Sequence, residues 1–532
     1  MYQVAPDYPS WREHRLRERL HEARTAPSTQ NDLLSVIIFF DDLATDPDTR
    51  LTLTLTSLLQ QTYRNIEVLV VGRSPSNFDL LERFIHFRGL FFEPKVFHLD
   101  FLRDSDSSDL WRGSYVLFSP AGTQFDPDTF ELLNAALNTE RRPDIVLSDY
   151  DTEQGSPSFT PGWDPDFLQA CDYIKTAFLA SRKLIQRYTA SACSCNSVYD
   201  WLRHVAEQAK QLRSAHVTEA LIHLPESAAA AALPVATVNP TFSSLADLSV
   251  IIPNRNSPDL LRQCLEVFES PSHLQTELVI VDNASDDPHV FAIYEEIRQR
   301  FGATIVPMNQ PFNFARMINL GVDASKASTI MILNNDVQII APSVLEEIVS
   351  HAARPDIGAV GAKLLYGDGT IQHAGMLLRE GRPGNQPILA LHVMRGAPGK
   401  EHGYLNSLVA PRNFQAVTGA LIACRRDVFY SVDGFDEVHL PVEYNDVDFC
   451  LRVRKAGYRV ICLPVDGVYH YESSTRGTQT TPEVAYMRHQ AIAVMAERWS
   501  EQFRHDPFDN PWVELGEVPR ATFPWSKSCS DR

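Results

Sequence analysis

Thr329-Ile330-Met331-Ile332-Leu333-Asn334-Asn335-Asp336 runs from five strand-forming residues straight into two amides and a carboxylate. The first five predict a buried β-strand, because branched and aliphatic side chains fill both faces of a covered sheet. A buried strand is a poor place to stop on a charge, unless the charge sits at the carboxyl end, where open α/β sheets bind ligands. Two more strands aim polar groups at what should be the same edge. One is Leu278–Val281, ending in Asp282; the other is Leu248–Ile252, ending in Pro253-Asn254-Arg255. Three such tips on one rim imply a single ligand site.

Outward from these strands, β and α alternate. Helices are expected at Asp259–Phe268, Val290–Phe301, Phe314–Ala324 and Ser343–His351, with further strands at Thr304–Pro307 and Gly358–Leu364. The first half has the same rhythm. Its strands are Ser35–Phe40, Ile66–Val71, Ser114–Phe118 and Asp144–Leu147; its helices are Trp11–Arg24, Leu51–Gln61, Leu80–Phe87 and Thr129–Leu137. This alternation predicts an α/β fold with mostly parallel, Rossmann-like sheets. Leu34-Ser35-Val36-Ile37-Ile38 echoes Leu248-Ser249-Val250-Ile251-Ile252, and Glu67–Val71 echoes Glu277–Val281, an internal repeat of roughly 210 residues. The repeat fails at the strand tips. Where the second copy has Asp282-Asn283 and Asn334-Asn335-Asp336, the first has Gly72-Arg73 and Ser119-Pro120-Ala121-Gly122. The expected organisation is an extension over 1–30, a degenerate and non-catalytic domain over 31–224, an Ala/Pro-rich linker over 225–246, a catalytic domain over 247–480, and a helix (Glu483–Phe503) with a tail over 481–532.

At 532 residues the chain is too long for one ordinary core. A formal net charge of −19 argues against nucleic-acid partners. Cys193 and Cys195 make a lone CxC without a second pair, so the eight cysteines read as reduced structural thiols. No apolar run approaches the ~20 residues that span a bilayer. The reading is cytoplasmic, with peripheral contact at the inner face of the membrane left open. A nicotinamide-type dinucleotide site is excluded, since neither copy has G-x-G-x-x-G after its first strand.

The second half resembles family 2 inverting glycosyltransferases of GT-A fold, of the rhamnosyltransferase-like type that extends O-antigen or other cell-surface polysaccharide. The motifs that carry the likeness are Ser249–Pro253, Val281–Asp287, Asn313–Arg316, Leu333–Asp336, Val417-Thr418-Gly419-Ala420, Gly434-Phe435-Asp436-Glu437, Tyr444–Arg452 and Tyr469–Ser473. The first half resembles the same fold at lower fidelity, as in tandem two-domain members. The resemblance implies a nucleotide-sugar donor (UDP- or dTDP-linked), a saccharide or lipid-linked saccharide acceptor, and a divalent cation, Mn²⁺ or Mg²⁺. It places the metal on Asp336, last acid of a DxD-type motif whose first positions are here Asn334 and Asn335, and on His470. It assigns Asp282 to the base and the neighbouring Pro253, Asn254, Arg255, Asn334 and Asn335 to the donor. Asn313, Arg316 and Asn319, which open a helix, and Arg476 are candidates for the phosphates. A single displacement needs one general base: Asp446, with Glu443 as the spare and Asp448 read as a helix-start acid. Acceptor specificity is expected in a mobile loop over Tyr366–Asn413, which holds His373, His392 and His402. In the first copy, Tyr199-Asp200-Trp201-Leu202-Arg203 reads as a remnant of the Asp446 run, and His223-Leu224-Pro225-Glu226-Ser227 lacks the histidine motif. A second reading stays open: a catalytically inactive scaffold that organises partner glycosyltransferases.

Overall fold

The computed structural model describes residues 8–23, 31–40, 46–72, 91–92, 111–139, 141–189, 197–209, 212–229, 247–381, 387–471, 481–517 and 522–523. The expected helix Leu80–Phe87, Cys193, Cys195, most of the linker and Arg476 lie outside the described residues. Two compact units emerge. One is Met1–Pro234 with Asn510–Val513 and Thr522–Arg532; the other is Val235–Asp509 with Glu514–Ala521. Among the described residues no helix is long and apolar enough to cross a membrane.

In the first unit, β1 (Leu34–Phe40), β2 (Ile66–Gly72), β3 (Phe91–Phe92), β4 (Tyr115–Pro120), β5 (Gln124–Phe125), β6 (Ile145–Thr152), β7 (Phe178–Ser181) and β8 (Ser214–Leu224) form an eight-stranded sheet in the order β3-β2-β1-β4-β7-β6-β8-β5. In the second unit the strands are β9 (Asp247–Asn254), β10 (Gln275–Asp282), β11 (Thr304–Pro307), β12 (Thr329–Leu333), β13 (Val337–Ile339), β14 (Ile357–Ala362), β15 (Leu364–Leu365), β16 (Ile371–His373), β17 (Met376–Glu380), β18 (Ile388–His392), β19 (Arg412–Asn413), β20 (Leu421–Arg425), β21 (Arg459–Leu463) and β22 (Val468–His470). Eight of them make the main sheet, ordered β11-β10-β9-β12-β20-β14-β21-β19; β13, β22, β15 and β16 make a four-stranded sheet, and β17 pairs with β18. Up to the last strand, the two eight-stranded sheets share one order.

The continuous apolar runs have a direct cause. Successive side chains on a strand face opposite ways. Val250, Ile252, Ile280 and Met331 join one buried cluster, while Ile251, Val281, Ile330 and Ile332 join the other. A sheet covered on both faces therefore needs no polar alternation. The α/β class stands, and the main sheet is mixed but mostly parallel, with β19 and β20 running against the other strands. β20 runs antiparallel to both β12 and β14, and β19 antiparallel to β21. Leu421–Arg425 is a strand that the β/α rhythm did not mark, because it follows the Gly419-Ala420 turn with no helix before it. The segment Tyr366–Asn413 also departs from expectation. Its described part holds β16, the β17·β18 ladder and β19, and His373 is fully buried. Its many glycines and prolines mark tight turns between short strands.

The first unit is closed by the helix Tyr8–Ala23. Arg19 is 5% exposed and donates to Asp126 at 2.6 Å, Asp128 at 3.0 Å and Glu219 at 3.1 Å. Tyr8 Oη donates to Asp151 at 2.8 Å, and Arg12 reaches Asp126 and His223. Removing one member of a buried ion pair strands the others and costs about 3–5 kcal/mol. Arg19→Met is therefore expected to destabilise the first unit by about that amount, seen as faster hydrogen exchange across β4–β8 while β9–β12 keep their protection. Unchanged exchange in both would show that the helix is dispensable to the fold.

Candidate active site

Three strand tips of the second unit meet through side chains. β9 and β10 pair in parallel with Asn254 opposite Asp282, and β12 runs beside β9. Asn335, just past the β12 tip, donates from Nδ2 to Asn254 Oδ1 at 2.6 Å. Asn254 donates to Tyr294 Oη at 2.7 Å, and Tyr294 donates to Asp282 Oδ1 at 2.7 Å. Ser285 Oγ reaches the same Oδ1 at 2.5 Å, while the Ser285 amide approaches Oδ2 at 3.3 Å. Asp282 Oδ2 is thus the less engaged oxygen. Tyr294, from the helix Pro288–Phe301, is a site residue that sequence reasoning missed: its place in the apolar stripe with Val290, Ile293 and Ile297 reads as core.

Asp336 and His470 are brought together by the small sheet, where Val337 pairs with His470 and the Tyr471 amide donates to the Asp336 carbonyl at 2.9 Å. Asp336 is 7% exposed, and its Oδ1 is buried and accepts no hydrogen bond. His470 Nε2 lies 3.1 Å from that oxygen. Nδ1 of the same ring is 2.7 Å from Gln372 Oε1, an acceptor, so Nδ1 carries a proton. In the neutral ring Nε2 keeps its lone pair, and two acceptors then face each other across the contact. Neighbouring ligands of an octahedral cation bound at about 2.0–2.1 Å lie about 3 Å apart, and a carboxylate with an imidazole suits Mn²⁺ and, less well, Mg²⁺. The pair fits a divalent cation. Among the described residues no group of three or more His, Cys, Asp or Glu converges in this way, so a ligand would complete the shell. Gln372, on β16, carried no signal in the sequence.

Asp446 opens the helix Asn445–Lys455, after Tyr444 in a left-handed conformation at φ 61°. The Gly419 amide donates to its Oδ2 at 2.7 Å. A Cβ at Gly419 would lie 3.3 Å from Asp446 Cβ, so glycine permits this approach. The next residue, Ala420, accepts from the Asn334 amide at 2.9 Å. Bonded links thus run from Asp282 through the Asn334–Asp336 tip to Asp446. Burial, and more weakly the charge of Glu443, pushes the Asp446 pKa up. His373 Nε2 accepts from the Gly375 amide at 3.3 Å and the Thr418 amide at 3.4 Å, and its Nδ1 lies 3.0 Å from His392 Nδ1. Burial keeps both rings neutral, with the His392 pKa lowered to about 4.

Several sequence candidates have structural duties. Asn313 caps the helix Phe314–Ala324 by accepting from the Arg316 amide, and its Nδ2 donates to the Glu437 carbonyl. Asn319 brackets Phe435 with both amide atoms. Both brace the Gly434–Glu437 loop. Asp448 is fully buried against Trp499 Nε1 at 2.9 Å and Arg452 at 2.7 Å, a structural acid. Pro253 is buried opposite Val281, Arg255 is exposed, and Arg316 is half-buried. Asn334 Oδ1 is buried and accepts no bond. His402 is exposed.

Comparison with known proteins relates this site to sugar-transferring enzymes. Residues 249–429 match the family model described as Glycosyl transferase family 2. The chain is 29% identical over 452 residues to the uncharacterised protein y4gI of Sinorhizobium fredii, across 76% of this chain and 49% of that one. It is 29% identical over 451 residues to the O-antigen biosynthesis protein RfbC of Myxococcus xanthus, across 76% of this chain and 34% of that one. It thus spans half or less of the curated relatives it matches. A solved structure of GalNAc-T7 with UDP, GalNAc and Mn²⁺ aligns with a TM-score of 0.39 at 14% identity, covering 53% of this chain and 51% of that one.

The Asp446 carboxyl is expected to titrate above the ordinary aspartate value of about 3.9. Replacing Glu443 by glutamine removes a like charge, eases ionisation and lowers the Asp446 pKa; carboxyl-carbon NMR shifts across pH measure both. An unmoved or rising pKa would contradict the electrostatics of this site.

Proposed function

We propose that the second unit transfers a sugar, with inversion, from a nucleoside diphosphate donor to a saccharide or lipid-linked saccharide acceptor in bacterial surface polysaccharide synthesis. The observation that carries this is the buried Asp336 oxygen without a hydrogen bond, facing His470 Nε2 beside three polar strand tips. The family match and the likeness to an O-antigen biosynthesis protein support the same reading.

Each residue then has a duty. Asp282 Oδ2 accepts an imide N–H of the base. Asn335, tied to Asn254, offers its remaining amide atoms to donor hydroxyls, and Arg255 and Arg316 supply positive charge for the phosphates. Asp336 and His470 would hold the divalent cation, which when bound offsets charge gathering on the leaving diphosphate. Asp446 takes the acceptor hydroxyl proton, its carboxylate held by the Gly419 N–H on Oδ2 and the Val447 N–H on Oδ1. The raised pKa makes Asp446 a stronger base once ionised.

The first unit is proposed to be non-catalytic. Counting along the paired strands, Gly72 stands where Asp282 does, Phe40 where Asn254 does, Gly122 where Asp336 does and Leu224 where His470 does. His223 falls at the place of Tyr469, and is bound into the Arg12 network instead.

Asp446→Asn is expected to cut transfer or donor hydrolysis about 10²–10⁴-fold while nucleoside diphosphate affinity, measured by calorimetry with Mn²⁺, stays within a few-fold of wild type. EDTA is expected to abolish turnover and added Mn²⁺ or Mg²⁺ to restore it. Undiminished turnover by Asp446→Asn would remove the base, and turnover insensitive to EDTA would remove the cation.

A further inference from the structure

Tyr294 is 3% exposed, and its helix presents Val290, Ile293 and Ile297 to the same buried cluster. A phenylalanine would fill that space equally well, so packing gives no reason for the hydroxyl. The hydroxyl instead occupies the middle of a directed chain. Asn335 donates to Asn254, Asn254 donates to Tyr294, and Tyr294 donates to Asp282, all at 2.6–2.7 Å. Each donor has one orientation in this arrangement. Turning the Asn254 amide over would set its N–H₂ against that of Asn335 and remove its bond to Tyr294. Asn254 is itself 2% exposed, so no water competes freely for these bonds.

We propose that the Tyr294 hydroxyl is a positioning residue that couples the two ends of the donor site, the base-accepting Asp282 and the Asn335 amide beside Asp336. The inference rests on the donor-binding reading above and names how its halves communicate. Asp282 keeps the Ser285 hydroxyl as a second donor, so loss of the tyrosine proton leaves the base contact partly held. What is lost is the shared orientation: Asn254 no longer has its acceptor, and Asn335 no longer has a fixed one.

The test is a double-mutant cycle on binding. UDP, dTDP and GDP, whose bases all present an imide or lactam N–H, are titrated by calorimetry with Mn²⁺, and the tightest is used throughout. Asp282→Asn and Asn335→Ala are made singly and together. In the wild-type background the combined loss is expected to fall short of the product of the single losses by about fivefold. In the Tyr294→Phe background, which is expected to melt lower because the buried Asn254 amide is left without its acceptor, the losses multiply within about twofold. A merely structural tyrosine would leave the coupling in place. Coupling within twofold of none in the wild-type background, read without touching Tyr294, or coupling that persists in Tyr294→Phe, overturns the inference alone. No binding of any of the three nucleotides to the wild type overturns the donor-site reading and this inference with it.

Discussion

The antiparallel pairing of Val337 with His470 brings an imidazole nitrogen to 3.1 Å from a carboxylate oxygen that accepts no hydrogen bond. Leaving a buried acceptor unmade costs about 1–3 kcal/mol, more when it is charged. A ladder of three residue pairs would not hold such a juxtaposition by itself. Tyr471 bonds the Asp336 carbonyl, Gln372 takes the far side of the His470 ring, and β15, directly after β14, pairs with β22 at Leu365 and Tyr469. The arrangement keeps a carboxylate oxygen and an imidazole nitrogen together, the pair proposed above to hold a cation.

The rest of the second unit divides the work between rigid and adjustable parts. The strand tips hold Asp282, Asn254 and Asn335 on a sheet covered by apolar clusters on both faces, so their positions follow from strand register. Asp446 comes from a helix start and depends on the turn Thr418–Ala420, which bonds His373, Asp446 and the Asn334 amide through successive residues. The first unit shows the same strand order without this chemistry. A core needs pattern and volume and tolerates the loss of polar tips, and there a salt-linked helix with Arg19 at its centre takes over the charged residues near β5 and β8.

Much of this was legible in the primary structure because strand ends are conspicuous: an apolar run that stops on Asn334-Asn335-Asp336, or on Asp282, has few explanations. The helices Phe314–Ala324 and Pro288–Phe301 and the strand Thr329–Leu333 fall where periodicity puts them. What stayed hidden was of two kinds. Tyr294 and Gln372 act through one polar atom on side chains that otherwise pack as core, and no pattern of hydrophobicity marks such an atom. β20, and the short strands within Tyr366–Asn413, are set by pairing partners far along the chain rather than by local preference. Asn313 and Asn319 brace the Gly434–Glu437 loop through side-chain amides, a duty no sequence pattern marks.

The most direct measurement is the position of Mn²⁺ by anomalous scattering in a crystal of the protein grown with a nucleoside diphosphate. The prediction is a single strong peak bonded directly to an Asp336 oxygen and His470 Nε2, with diphosphate oxygens completing the shell and the base against Asp282. A peak that avoids either residue, or a nucleotide seated away from the β9, β10 and β12 tips, would contradict it.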